Sequence, residues 1–175
     1  MDHRGMNSRI RVAVLLCVVV VATASAAPKP WVLHFDGAGP VKIGMTLNQL
    51  NRALNESFSM PDDDGEKACF YRESSKRPGI AFMVEEGRIT RVDVTKRNIS
   101  TASGIRVGDS EAQVMKAYSG KIEVEPHAYT GPEGHYLTVY SSDGRYGLRF
   151  ETDGHEITGF YAGEKHAIAY IEGCQ

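Results

Sequence analysis

Two stretches of the chain share one order of apolar and polar positions, 64 residues apart. GPVKIGMTLNQLNRAL, residues 39–54, alternates apolar and polar residues up to a glycine and then places apolar residues at helical spacing. GIRVGDSEAQVMKAY, residues 104–118, repeats that order around Gly108. Alternation predicts an extended segment, and the three-and-four spacing predicts a short helix with one buried stripe. Each stretch therefore predicts an extended approach, a turn at glycine and a helix.

Each predicted helix begins with a capping box. Thr46-Leu-Asn-Gln49 and Ser110-Glu-Ala-Gln113 have the form S/T-x-x-E/Q. In this arrangement the hydroxyl and the glutamine side chain each satisfy a backbone N–H that has no partner inside the helix. The two boxes predict the first turn of both helices.

The strands that follow also repeat. Residues 79–94 and 146–162 alternate apolar and polar positions around a central turn, which is typical of a β-hairpin. At an offset of 68, Phe82 aligns with Phe150 and Ile89 with Ile157. Further strands are predicted at 121–125, 134–141 and 166–171, with polar loops at 59–67 and 74–78 and a joint at 96–104. The fold class is thus predicted to be α+β, with two tandem helix-plus-antiparallel-sheet repeats in one body, residues 27–98 and 99–175.

The first residues have the order of a secretory signal. Three arginines precede an apolar run from Val12 to Ala22, and small residues follow it. We expect cleavage after Ala26, which leaves 149 residues in a secreted or periplasmic protein. A membrane anchor is the alternative, but the stretch is shorter than the roughly 20 residues of a spanning helix. An acylated Cys17 is disfavoured by the bulky Leu16 before it. We therefore expect no stable membrane insertion once the signal is removed.

Charge narrows the possible partners of the mature chain. Without the signal it carries 17 basic and 21 acidic residues, a formal charge of −4, and it has no Lys/Arg cluster. Nucleic acid and anionic membrane surfaces are bound through basic patches. The composition therefore excludes both from the expected partners.

Two cysteines, Cys69 and Cys174, remain after the signal is removed. An even number of cysteines in an oxidising compartment favours a disulfide, so we predict that these two pair. Two independent buried thiols are the alternative. The C-x-x-C spacing of a redox or metal site is absent from the sequence.

The repeated motif [VI]-x-[VI]-G-[MD]-[TS], followed by a helix and antiparallel strands in a secreted chain, resembles the tandem-repeat β-lactamase inhibitory protein (BLIP-like) family. It is similar also to the single-unit SmpA/OmlA-type envelope lipoproteins that share that fold. The resemblance implies helices packed on one face of an antiparallel sheet, with two units presenting a concave sheet surface to a protein partner. This chain departs from the inhibitor in having one cysteine pair, and no residues carry β-lactamase inhibition over. The resemblance implies binding and names no target.

No motif in the sequence indicates catalysis. His155-Glu156 lacks the second histidine of H-E-x-x-H, and the run at 62–65 is out of register for a calcium loop. A nucleophile elbow and a phosphate-binding loop are also absent from the sequence. We therefore expect no catalytic residue, metal or cofactor. The alternative is a small extracytoplasmic hydrolase or metal-dependent enzyme that uses His135 or His155.

One face of the predicted sheet is a candidate binding surface. Alternation places Tyr136 and Tyr140 on the side of their strand away from Leu137 and Val139. With four further residues of neighbouring strands they form a predicted surface of six residues. These residues are Tyr136, Tyr140, Arg149 and Glu151, continued by Arg91 and Asp93 of the first unit. Tyrosine and arginine are enriched where protein partners bind. Cross-strand pairs that only stabilise the sheet are the alternative.

The sequence thus predicts a secreted or periplasmic, non-catalytic module that binds an envelope or extracellular protein. A structural accessory of the envelope is a further alternative.

Overall fold

The structure is a computed structural model, and it describes residues 30–174. The predicted signal segment, residues 1–26, lies outside the described residues. Within residues 30–174, no helix is long and apolar enough to cross a membrane.

The described chain contains eleven strands, two α-helices and one short 3-10 helix, Ala167–Ala169. In chain order they are β1 (Val32–His34), β2 (Gly37–Ala38), β3 (Val41–Lys42), α1 (Leu47–Leu54), β4 (Cys69–Glu73), β5 (Ile80–Glu85), β6 (Arg88–Val94), β7 (Ser100–Thr101), α2 (Glu111–Ala117), β8 (Ile122–Pro126), β9 (His135–Tyr140), β10 (Tyr146–Thr152) and β11 (Ile157–Glu164).

The strands form two sheets. A small mixed sheet has the order β3-β2-β1-β7, in which β1 and β7 are parallel. The larger sheet has seven antiparallel strands in the order β4-β5-β6-β11-β10-β9-β8. The fold is therefore mixed, with helices and sheets, and most of its regular structure is sheet.

Both capping boxes are formed as predicted. Thr46 Oγ1 accepts the Gln49 N–H at 3.3 Å, and Gln49 Oε1 accepts the Thr46 N–H at 2.8 Å. The corresponding distances between Ser110 and Gln113 are 3.4 and 2.8 Å. The glycine two residues before each cap has a positive φ, 86° at Gly44 and 81° at Gly108. A side chain would be strained in this conformation, which explains the glycine at both positions.

The two hairpins carry the same irregularity at the same place. The register of the β5–β6 pair shifts between Met83 and Val84, and that of the β10–β11 pair shifts between Glu151 and Thr152. These positions are 68 residues apart, which is the offset read from the sequence. The helix caps repeat as well, since Thr46 bridges to Arg88 and Ser110 bridges to Glu156.

One apolar core connects these elements. Leu50 of α1 and Val114 of α2 are fully buried in the same cluster as Phe82, Phe150 and Phe160. The rings of Phe150 and Phe160 lie with their centroids 5.7 Å apart. The buried helical stripes and the apolar alternation of the strands thus meet in a single core.

The prediction of a strand at residues 166–171 is wrong. The segment forms the 3-10 helix Ala167–Ala169, with Ala167 and Ile168 fully buried. The carbonyl oxygen of Ala167 accepts a hydrogen bond from the Arg91 guanidinium at 2.9 Å. The donor to this carbonyl group is therefore a side chain and not the backbone of a neighbouring strand. The joint at 96–104 also contains a short strand, β7, which the sequence did not indicate.

Replacing Thr46 or Ser110 by alanine is expected to lower the free energy of unfolding by about 1 kcal/mol each, because each change removes an N-cap. Urea unfolding followed by far-UV circular dichroism measures both variants. Thr46→Ser and Ser110→Thr are the matched controls, since each keeps the hydroxyl. Alanine variants as stable as these controls would show that the caps contribute nothing.

Candidate functional site

The predicted binding residues do lie on one face of the large sheet. Arg149 pairs with Thr138 on one side and Tyr161 on the other, and Tyr161 pairs in turn with Asp93. The same registers place Tyr136, Tyr140, Glu151 and Arg91 on this face. Tyr161 and Tyr71 belong to the face as well, although the sequence did not single them out.

Three of the six predicted binding residues are buried. Arg91, Tyr136 and Arg149 are 4%, 3% and 6% exposed. Residues 127–134, between β8 and β9, cover Tyr136, and residues 165–174, which we call the C-terminal strap, cover Arg91. The sequence identified the side of the sheet but not its cover, so direct contact of these residues with a partner stays a prediction.

Arg91 is the centre of the covered face. Its Nε and Nη2 donate to the two carboxylate oxygens of Asp93 at 2.8 and 2.9 Å, a bidentate ion pair. Nη1 donates to the carbonyl oxygens of Ala167 and Tyr170 at 2.9 and 3.3 Å. The guanidinium also lies over the Tyr161 ring, 4.1 Å from its centroid. One side chain therefore joins the sheet to the C-terminal strap.

Burial changes the pKa values of the titratable groups around Arg91. Desolvation raises the pKa of Asp93 above its ordinary value, and the charge of Arg91 opposes that rise. Desolvation also raises the pKa of Tyr71 and of Tyr161. The tyrosines therefore stay neutral, and the charges of Arg91 and Asp93 compensate each other.

A second ion pair lies nearer the β8 edge. Arg149 Nη2 donates to Glu125 Oε2 at 3.0 Å, and its Nε donates to Thr138 Oγ1 at 2.9 Å. The guanidinium lies 5.1 Å from the centroid of the Tyr136 ring. These contacts explain why an arginine is buried on β10.

His127 holds the loop over this end of the face. Its ring stacks on Tyr136 with centroids 4.4 Å apart. Its Nδ1 accepts the backbone N–H groups of Tyr129 and Thr130 at 3.1 and 3.2 Å, so the proton of the neutral ring belongs on Nε2. The histidine thereby fixes the backbone that carries Tyr129.

The predicted disulfide is confirmed. Cys69 at the start of β4 is bonded to Cys174 at the end of the C-terminal strap, with Cα atoms 5.3 Å apart. Farther along the strap, Ile168 packs so closely on Gly147 that any added Cβ there would meet its Cδ1 at 2.1 Å. The strap is thus held by the disulfide, by Arg91 and by apolar packing.

An open cleft of about 880 Å³ lies along the C-terminal strap, and we call it the strap cleft. It is lined by Cys69, Glu85, Ala128, Tyr129, Ala169, Tyr170, Ile171, Glu172, Gly173 and Cys174. Tyr129 is 64% exposed, and Tyr170 and Ile171 are exposed as well. These are three of the six large hydrophobic residues that are exposed within residues 30–174. Sequence reasoning missed the cleft because its walls come from segments that lie far apart in the chain.

Two hydroxyl groups fix the tyrosines of the strap cleft. Tyr170 Oη donates to Glu85 Oε1 at 3.1 Å, and Tyr129 Oη donates to a carboxylate oxygen of Glu172. Desolvation and the charge of Glu85 raise the pKa of Tyr170, so it remains a donor. The two aromatic side chains are therefore held at the cleft by acidic partners.

The histidines of the alternative enzymatic hypothesis lie elsewhere, near the start of α2. His135 Nδ1 is 3.1 Å from Glu111 Oε2, which also accepts the Thr152 hydroxyl at 2.9 Å. The side chain of His155 is exposed, and its carbonyl oxygen accepts the Glu111 N–H at 3.4 Å. No cluster of three or more His, Cys, Asp or Glu side chains that could hold a metal ion occurs within residues 30–174.

Neither a protein-family model nor a curated protein matches the chain. Among solved structures, it is similar to the uncharacterized protein yfeY from Escherichia coli, with 11% identity and a TM-score of 0.46 over 74% of this chain and 97% of that one. It is also similar to an extracellular protein containing a SCP domain from Bacillus anthracis, with 10% identity and a TM-score of 0.49 over 85% of this chain and 50% of that one. At these scores neither likeness assigns a family, a function or a location. The resemblance to the β-lactamase inhibitory proteins and the SmpA/OmlA lipoproteins stays a prediction.

Proposed function

We propose that this protein is a secreted or periplasmic, non-catalytic module that binds an envelope or extracellular protein at the strap cleft. The observation that carries the proposal is the grouping of Tyr129, Tyr170 and Ile171, all exposed, around one cleft. Exposed apolar side chains grouped in this way, with a polar rim, are typical of protein-binding sites.

The support beneath the strap cleft favours binding over a purely structural role. Arg91 ties the strap to the sheet, His127 orders the loop of Tyr129, and the disulfide closes the end of the strap. Because this surface is already ordered in the free protein, binding a partner there costs little conformational entropy. The residues first predicted to bind thus act, in this proposal, by positioning the surface that lies over them.

The proposal also includes the division of the chain into two units and a location outside the cytoplasm. The chain comprises two copies of one unit, 27–98 and 99–175, with helices packed on one face of the sheet and the C-terminal strap on the other. The matched caps, bridges and register shifts support this division. The signal segment is removed after Ala26, and the Cys69–Cys174 disulfide suits an oxidising compartment.

Affinity capture after in-cell cross-linking of the tagged mature protein tests the proposal. The variant Tyr129→Ser with Ile171→Ser removes two exposed side chains of the strap cleft with little effect on the core. Met115→Ser, at an exposed position on α2, is the matched control. We expect one envelope or extracellular protein to be captured by the wild type and the control and reduced at least tenfold in the double variant. Equal capture by all three proteins would refute the site.

A further inference from the structure

The charged residues that line the strap cleft are both acidic, Glu85 and Glu172. A second cleft of about 530 Å³ adjoins it across the disulfide and is lined by Asp63 and Glu66. Among the residues that the structure describes, no lysine or arginine lines either cleft. The two clefts share Cys69 and Cys174, so the apolar surface of the strap cleft continues into an acidic one.

The cations near these clefts have partners of their own. Lys67 Nζ lies 2.5 Å from Asp64 Oδ1, outside both linings. Arg91 is buried beneath the strap, and its guanidinium donates to Asp93, to backbone carbonyls and to the Tyr71 hydroxyl. His166 Nε2 lies 3.2 Å from Glu85 Oε2, and its Nδ1 lies 3.5 Å from a second acid, Glu164. Two carboxylates, those of Glu85 and Glu164, therefore share the single imidazole ring of His166.

Aromatic rings stand beside these acids. The hydroxyl groups of Tyr129 and Tyr170 point at Glu172 and Glu85, which places each ring next to a carboxylate. A cation is attracted both by the face of an aromatic ring and by a nearby carboxylate. A neutral or acidic ligand gains neither contribution. The strap cleft is therefore chemically matched to a lysine or arginine side chain with an aliphatic stem, since Ile171 provides apolar contact.

We propose that the strap cleft binds a basic peptide segment of the partner protein, with one lysine or arginine side chain between the Tyr129 and Tyr170 rings and the carboxylates of Glu85 and Glu172. Further basic residues of the segment lie over Asp63 and Glu66. This inference rests on the proposed function and specifies the chemistry of its partner. The formal charge of −4 on the mature chain favours the approach of such a segment.

Fluorescence polarisation with three labelled decapeptides tests the inference on the disulfide-bonded mature protein. The peptides share a glycine–serine backbone with one leucine and differ only in three positions, which hold lysine, glutamine or glutamate. We expect the lysine peptide to bind at least tenfold more tightly than the glutamine peptide and the glutamate peptide to show no binding. Affinity for the lysine peptide is expected to fall with added salt, as for any exposed charge pair.

Variants locate the binding. Glu85→Gln is expected to lower the affinity for the lysine peptide about fivefold, since it removes one negative charge but keeps an acceptor for the Tyr170 hydroxyl. Tyr129→Leu, which keeps an apolar side chain but removes the ring, is expected to weaken it by a similar factor. Glu123→Gln, at an exposed position of β8, changes the net charge equally and is expected to leave affinity unchanged. A thermal melt of each variant confirms that it is folded.

Different results would refute this inference and the proposed function. Equal binding of the lysine and glutamine peptides, or equal weakening by Glu85→Gln and Glu123→Gln, overturns the basic segment. No binding of the lysine peptide overturns it as well. The proposed function survives these results if cross-linked capture still depends on Tyr129 and Ile171. It fails if capture does not depend on them, whichever peptide binds.

Discussion

Replacing both Cys69 and Cys174 by serine lowers the free energy of unfolding by about 4 to 5 kcal/mol. The disulfide joins residues 105 positions apart, so it removes a large loop-closure entropy from the unfolded chain. An ordinary domain is stable by about 5–15 kcal/mol, so this loss is a large part of the total. The variant also loses the covalent end of the C-terminal strap.

Thermal unfolding measures this effect as a fall in melting temperature of about 10–20 °C. Wild-type protein treated with a dithiol reductant is expected to melt like the double variant, whereas the reductant leaves the variant itself unchanged. Equal melting temperatures for the oxidised wild type and the variant would contradict the account of how the strap is held.

Replacing Arg91 by methionine is expected to cost about 3–5 kcal/mol of stability. The change leaves the carboxylate of Asp93 without its bidentate partner in a largely buried site, and removing one member of a buried pair is far more costly than removing both. It also takes away the donor to the carbonyl oxygens of Ala167 and Tyr170. Urea unfolding at neutral pH gives the size of the loss.

The double variant Arg91→Met with Asp93→Leu is the control, and it is expected to recover most of the lost stability. The pH dependence gives a second check. Without Arg91, the pKa of Asp93 rises further above its unfolded value of about 4. A carboxyl whose pKa is higher in the folded than in the unfolded protein takes up a proton on folding when the pH lies between the two pKa values. The free energy of unfolding of the single variant therefore falls as the pH rises from about 4 to the folded-state pKa of Asp93. A deficit that is constant from pH 4 to pH 8 would contradict the role given to Asp93.

Most of the features that the sequence predicted correctly are set by nearby residues. A capping box is complete within four positions, and the hairpins depend on alternation around a turn. The pairing of Cys69 with Cys174 followed from there being two cysteines to pair. The same alternation also identified which side of the sheet carries Tyr136 and Arg149.

The cover of that side could not be predicted, because it depends on contacts between distant residues. Arg91 meets Ala167 across 76 positions, and nothing in the local pattern of 166–171 separates a buried strand from a segment that packs on a sheet. Tyr129 lies in a loop that contains proline and glycine, where no period predicts exposure. The strap cleft therefore emerges only when these segments are placed together in three dimensions.

A photoreactive benzoylphenylalanine at position 129 tests the central claim most directly, with the same group at position 115 of α2 as the control. The protein is expressed with its signal in its own envelope, irradiated and analysed by mass spectrometry. We predict that position 129 cross-links to one envelope or extracellular protein through a segment rich in lysine or arginine, and that position 115 does not. Cross-links of the same protein from both positions, or from position 115 alone, would contradict the assignment of the strap cleft as the binding site.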